Sequence, residues 1–379
     1  MRLLLVIDSL AWGGSQRQMA NLAVGLERRG HEVHLFQYFP RLDHYRHLVA
    51  DAGVKLIDFE KRRKFDPGVL LALAGQMRRE RYDAVVAFLA GPSAFAVIAS
   101  KLAGGIPIVV SERGSFRPGA LPYYLRLQRV THRFATHVTT NSYHHTERML
   151  HEFPFLAGRI STIWNGIDTE SFRPQNPSSV ARGGAPSLRL LGVGTVVPIK
   201  DIETLARGLV ALARRGGPPV QVEWAGNILD TPASQGVVAR VNQLLAEAGI
   251  GDRWNWLGLQ SDVISLYRRC DALVHPSARE GLPNAVCEAL ACGRPVIAAR
   301  AADNARLLGE RERGLLFETG DAESLADAFD ALAKFAPEAL AQLGDRARAF
   351  AEKELSLGAC IDQYETLLSR IAASRTPAA

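Results

Sequence analysis

Short apolar runs alternate with segments of helical period along this chain, and the alternation stops once and then begins again. Runs at residues 3–8, 33–36, 54–59, 84–88, 106–111 and 137–141 enclose helix-period stretches at 16–29, 67–81, 92–103 and 122–135. In the first stretch Met19, Leu22, Ala23 and Leu26 share one face. Strands of this kind, alternating with helices, predict a parallel sheet covered on both faces. Residues 172–188, FRPQNPSSVARGGAPSL, carry no apolar period and read as a linker. Strand patterns then return at 188–193, 220–225, 254–257, 272–275 and 295–298. Helix patterns accompany them at 202–214, 233–248, 264–268, 285–291 and 322–333, again after Pro337, and at 357–372.

The expected fold is therefore α/β: two doubly wound, Rossmann-like domains facing across a cleft. Their expected bounds are 1–172 and 188–355, joined by a linker at 173–187. A C-terminal crossover helix and tail at 356–379 is expected to pack back on the first domain. A length of 379 residues agrees, being too great for one small core.

Charge and cysteine content narrow the setting. Residues 1–172 hold 22 Lys+Arg against 15 Asp+Glu, and the remainder holds 23 against 24. A basic first half suits an anionic partner, such as a membrane surface, a phospholipid-linked substrate or nucleic acid. The cluster Lys61-Arg62-Arg63-Lys64 with Arg78, Arg79 and Arg81 is the expected lipid-facing element. Cys270, Cys287, Cys292 and Cys360 form no CxxC and read as buried reduced thiols. No run is long enough to cross a bilayer, so the expected setting is cytoplasmic, peripheral on the inner face of the membrane.

In doubly wound domains, ligands lie beyond the carboxyl ends of the strands, so three strand-to-helix loops matter most. The first, SLAWGGSQ at 9–16, offers Gly13 and Gly14 for close backbone approach, with Ser15 as an ordinary N-cap in the bland alternative. The second, LGVGTVVPIKD at 191–201, places Gly194, Thr195 and Lys200 after a strand. Lysine is a compact cation suited to a diphosphate. The third lies in HPSAREGLPNAVCEALACGRPVIAAR at 275–300. There Ser277 and Glu280 match a capping box, while Glu280 in the loop and Glu288 on the helix can instead serve one ligand. No DxD occurs, so no two-aspartate metal site is visible.

Taken together, Gly13-Gly14, Asn165-Gly166-Ile167-Asp168, Lys200 and the spacing Glu280-x7-Glu288 resemble the retaining GT-B glycosyltransferases of family 4. The resemblance implies transfer of a hexose or N-acetylhexosamine from a nucleoside diphosphate sugar, UDP favoured, with configuration retained and no metal or other cofactor. It places Glu288 at the donor ribose, Glu280 beside the transferred sugar and Lys200 on the diphosphate. Gly281, Leu282, Pro283, Asn284 and Ala285 line the donor with Gly13, Gly14, Gly194 and Thr195. The expected partners are this donor, an acceptor that is lipid-linked or a surface polysaccharide, and an anionic membrane, with no nucleic acid.

The chain also departs from the family pattern. Thr195 stands where family members usually have Arg, and Gln16 where many have Glu. Ser111-Glu112-Arg113-Gly114 replaces a stretch in which His is common, and this variant resembles members that add hexosamines from UDP donors. Arg113 is accordingly expected to supply part of the missing positive charge. The alternatives are a nucleotide-sugar epimerase on the same two-domain plan and a non-catalytic nucleotide-binding module.

Overall fold

The protein is described from a computed structural model over residues 1–63, 66–113, 122–175 and 187–374, without the side chains of 122–126. It divides into two compact units, residues 1–166 with 357–379, and residues 167–356. Most of the expected linker, residues 176–186, lies outside the described residues, as does Lys64.

The first unit holds β1 (Arg2–Val6), β2 (Glu32–Gln37), β3 (Lys55–Asp58), β4 (Ala84–Phe88), β5 (Ile108–Glu112), β6 (His137–Thr140) and β7 (Ile160–Thr162). All pair in parallel, in the order β3-β2-β1-β4-β5-β6-β7. Period-two alternation sorts the apolar run of β1 to both faces. Leu3 and Leu5 join one core with Met19, Leu22 and Leu26, whereas Leu4 and Val6 join the other with Val69, Leu73 and Met77. That is why the run is continuously hydrophobic.

The C-terminal helix, Leu357–Ala373, completes the first of these cores with Ile361, Tyr364, Leu367, Leu368 and Ile371. It lies so near helix Gly14–Arg28 that a Cβ on Gly25 would stand 2.0 Å from Ile361 Cδ1. Arg29 ties the pair through Glu365 and Asp362, each at 2.6 Å.

The second unit repeats the winding with β8 (Leu188–Val193), β9 (Val220–Ala225), β10 (Trp254–Gly258), β11 (Ala272–His275), β12 (Val296–Ala299) and β13 (Gly314–Phe317). Their order is β10-β9-β8-β11-β12-β13, again parallel throughout. In each sheet the order reverses beside the first strand, at β1/β4 and at β8/β11, which makes that edge the expected place for ligands.

One boundary moves. Residues 167–172, expected at the end of the first domain, belong to the second unit. Arg348 donates to the carbonyls of Thr169 and Phe172 at 2.8 Å, and Arg268 to those of Ser171 and Arg173. These anchors lie about a hundred residues or more away in sequence, so no local pattern announces them. The chain leaves and re-enters this unit side by side, since Ile167 N–H donates to Leu355 O at 2.7 Å.

Candidate functional site

At the carboxyl edge of the second sheet, the loop after β8 and the loop after β11 are stitched together. Ala278 N–H donates to Ile199 O at 3.1 Å, and Ser277 Oγ donates to the same carbonyl at 3.2 Å. Ser277 is thus not a helix cap, contrary to the capping-box match. Helix Asn284–Ala291 starts later, behind Pro283, because Gly281 and Leu282 extend the loop, and no side chain caps it. Uncapped helix N-termini present N–H groups and a positive dipole end to anions.

This stitching brings Lys200, Glu280 and His275 into one cluster. Lys200 Nζ lies 2.5 Å from Glu280 Oε1, and His275 Nε2 lies 3.6 Å from the same oxygen. Burial pushes the Glu280 carboxyl up. The Lys200 charge, His275 and hydrogen bonds from Lys200 and Ser277 outweigh it and hold the group below the usual carboxylate range. His275 is driven down to about 4, chiefly by burial and then by Lys200, so it is neutral near pH 7. Among the described residues its buried Nε2 has no hydrogen-bond partner. Sequence reading passed over His275, although a histidine ending the buried apolar run of β11 was its visible signal.

The glycines of the loop after β8 have specific jobs. Gly194 sits at φ 149°, where glycine is favoured, and its carbonyl accepts from Trp224 Nε1 at 2.9 Å. A Cβ there would lie 3.1 Å from Lys200 Cε, so its bareness leaves the lysine stem its path. Thr195 is exposed and brings no charge. Glu288 projects from the second turn of its helix into a buried position, where Tyr267 OH donates to its Oε2 at 2.9 Å. Tyr267 is a second residue that sequence reading missed. The two glutamates therefore differ: Glu280 is held by a cation, Glu288 by a neutral phenol.

In the first unit, helix Gly14–Arg28 begins behind Gly13 with no side-chain cap. Ser15 lies inside its first turn, which corrects the expected N-cap. Gln16 Nε2 donates to Asp8 Oδ1 at 3.3 Å. Arg113 is buried at the end of β5, with its guanidinium 4.0 Å from the centroid of the Phe88 ring. It donates to Ser111 Oγ at 3.0 Å, and to Asn165 Oδ1 and Tyr364 OH at 2.6 Å each. Among the described residues all its hydrogen-bond acceptors are neutral. The Asn165-Gly166-Ile167-Asp168 motif proves to be a clasp. Asn165 holds Arg113, Gln18 brackets the Gly166 peptide at 2.8 and 3.0 Å, and Asp168 caps the turn at Glu170 and Ser171.

The basic cluster expected to face lipid is partly engaged. Lys61 Nζ sits 4.9 Å from the Tyr38 ring centroid and near Phe39 and Phe95. Arg78 donates to Leu102 O and Arg79 to Gln76. Among the described residues, no three His, Cys, Asp or Glu side chains are grouped to hold a metal ion, and no helix is long and apolar enough to cross a membrane. Burial drives Cys270 and Cys292 up to about 12, which leaves them as protonated thiols.

Residues 12–171 match the family described as Glycosyltransferase Family 4, and residues 185–350 that described as Glycosyl transferases group 1. A D-inositol 3-phosphate glycosyltransferase of Saccharomonospora viridis is 32% identical over 212 residues, 51% of this chain and 46% of that protein. One from Mycolicibacterium gilvum is 30% identical over 44% of this chain and 37% of its own length. The chain thus spans about half the length, or less, of these curated relatives. The fold is that of Anabaena Alr3699/HepE solved with UDP, at TM-score 0.82 and 21% identity over 98% of this chain and 100% of that one. A glycosyltransferase from Rickettsia africae superposes at TM-score 0.84 with 16% identity, over 99% of both chains.

Proposed function

Since the chain belongs to the glycosyltransferases of family 4, we propose that it transfers a hexose or N-acetylhexosamine from a UDP-sugar to an acceptor hydroxyl, with configuration retained and without a metal. The acceptor in this reading is lipid-linked or a surface polysaccharide, and the enzyme works peripherally on the inner face of the membrane. The observation that carries the proposal is the Lys200–Glu280–His275 cluster at the sheet edge, with Glu288 one helical turn beyond. Lysine is the fixed cation such chemistry needs, because charge builds on the departing diphosphate. The uncapped helix N-terminus beside it adds N–H donors. The Anabaena protein was solved with UDP and with UDP-glucose, which supports the choice of base.

In this reading the acceptor oxygen bonds to the anomeric carbon as the bond from that carbon to the phosphate oxygen breaks. The electron pair leaves with UDP, and the acceptor proton passes to a departing phosphate oxygen. Lys200 meets the growing negative charge, Glu280 positions the sugar and Glu288 the ribose. Thr195 leaves Lys200 without the usual arginine beside it.

The test is a thermal-shift screen of UDP-, GDP- and ADP-sugars, followed by slow donor hydrolysis. A ligand at a hundred times its Kd stabilises by about 2.7 kcal/mol, which a melting curve resolves. We expect UDP-sugars alone to raise Tm, and one of them to release free sugar. Interconversion of two UDP-sugars would establish an epimerase instead, and binding without hydrolysis or transfer a non-catalytic module.

A further inference from the structure

Helix Pro122–Phe134 is built inside out. Among its described side chains, Gln128, Thr131 and His132 are buried, whereas Leu127, Val130 and Phe134 are exposed at 37%, 52% and 52%. A helix on a water-facing surface normally does the reverse. The polar inner face has a local reason: His132 Nε2 lies 2.9 Å from Glu112 Oε1, and both groups are buried. Among the described residues, nothing inside the unit accounts for the apolar outer face.

The neighbouring helix, Ala90–Leu102, extends that face. Lys101 Nζ lies 6.0 Å from the centroid of the Phe134 ring, and beside it Leu102 is 47% exposed. One turn earlier, Ile98 is 46% exposed. Cations border these residues, with Lys101, Arg129 and Arg133 all exposed. Neither helix carries a carboxylate. From Ala84 to Thr146 the sequence has six Lys and Arg and one acid, the buried Glu112. The feature is confined to one half of the molecule. Of the twelve large apolar side chains exposed among the described residues, eleven lie in the first unit and only Leu259 in the second.

We propose that the outer face of helices Ala90–Leu102 and Pro122–Phe134 docks the protein on an anionic lipid bilayer, with Leu127, Val130, Phe134, Ile98 and Leu102 entering the headgroup boundary. An apolar strip edged by cations and free of acids matches that surface in both shape of hydrophobicity and sign of charge. A protein partner would more often present charges of both signs. The assignment builds on the lipid-linked acceptor proposed above and replaces the 61–64 cluster as the contact.

Co-sedimentation of the full chain with phosphatidylcholine vesicles, with and without phosphatidylglycerol, tests it. Binding is expected only with phosphatidylglycerol and is expected to weaken as salt rises. Lys101→Gln with Arg129→Gln should lower the affinity roughly twenty-five-fold, at about fivefold for each cation near the surface. Val130→Ser with Phe134→Ser should abolish sedimentation, while Arg62→Gln with Arg63→Gln should change it less than about twofold. UDP-induced thermal shifts on the same samples report folding and keep the donor reading separate. Vesicle binding without any UDP response would sink that reading and leave this one intact. Binding that survives both face variants, or that is lost only in the 62/63 control, overturns the proposal. So does a serine pair that turns an oligomer into a monomer in sedimentation velocity without altering vesicle binding, since the face would then meet a second copy of this chain.

Discussion

The two units wind their sheets in the same order and fill the same edge with opposite chemistry. In the second unit, cation and carboxylate neutralise one another, Lys200 against Glu280, and a neutral histidine stands beside them. In the first unit, among the described residues, Arg113 is held by neutral oxygens and the rings of Phe88 and Tyr364, while the adjacent carboxylate of Glu112 turns to His132. Topology decides where loops meet in both; the side chains decide what each edge can receive. A balanced ion pair can exchange one partner for a ligand, whereas Arg113 is fixed in place by three hydrogen bonds to neutral groups.

The sharpest way to break this comparison is to remove the cation of each edge in turn. Lys200→Ala should lower kcat/KM by about 10²–10³, the usual loss when one preorganised charge stabiliser is deleted. Glu280→Ala should mainly slow turnover, and Glu288→Ala should mainly weaken donor binding, leaving the Tyr267 hydroxyl without its acceptor. Initial rates and UDP-sugar titrations separate the two. Near-normal activity in both glutamate variants would remove the second edge from the chemistry altogether.

Much of this arrangement was legible in the chain. The alternation of β1 to β6, the restart at β8 and the loops bearing Lys200, Glu280 and Glu288 follow from local period and from glycine placement. Two capping assignments failed for a common reason. Ser15 and Ser277 each stood near a helix start, but the helices begin behind Gly13 and Pro283, and a cap depends on the backbone angle at one residue. Strand β7 is three residues long, and helix Tyr143–Glu152 is too polar to show a clear stripe; it is fixed instead by Ser142 accepting from His145 N–H at 3.0 Å. The partners of Arg113 were beyond local reading, since Asn165 and Tyr364 lie 52 and 251 residues away. The inverted helix was hidden similarly, because its polar face is explained only by Glu112 on another element.

Arg113→Ala comes next in expected size. It removes three hydrogen bonds and the contact with Phe88, so the first unit should lose roughly 2–4 kcal/mol. If its charge also assists the leaving diphosphate, donor turnover should fall by more than it does for an exposed control such as Arg62→Ala. Equal turnover in the two variants, measured below the melting range of both, would confine Arg113 to holding Asn165 and Tyr364 together.

The smallest effect concerns protons, and it compares the units once more. His275 in the second and His137 in the first are both driven down to about 4 by burial, aided by Lys200 in one case and by Arg370 and Arg159 in the other. An unfolded histidine takes up its proton near 6.5, so between 6.5 and 4 the unfolded chain binds more protons and stability falls as pH is lowered. For the deeply buried His275, moving from pH 7.5 to 5.5 should remove roughly 1.4 kcal/mol. For His137, driven down to the same value, the sign is the same and the size similar. His275→Asn should therefore flatten the pH dependence of the second unit's unfolding, whatever it does to stability at pH 7.5. Denaturant curves at the two pH values measure this directly. An unchanged difference between them would mean that His275 keeps its ordinary affinity for a proton and that burial beside Lys200 does not depress it.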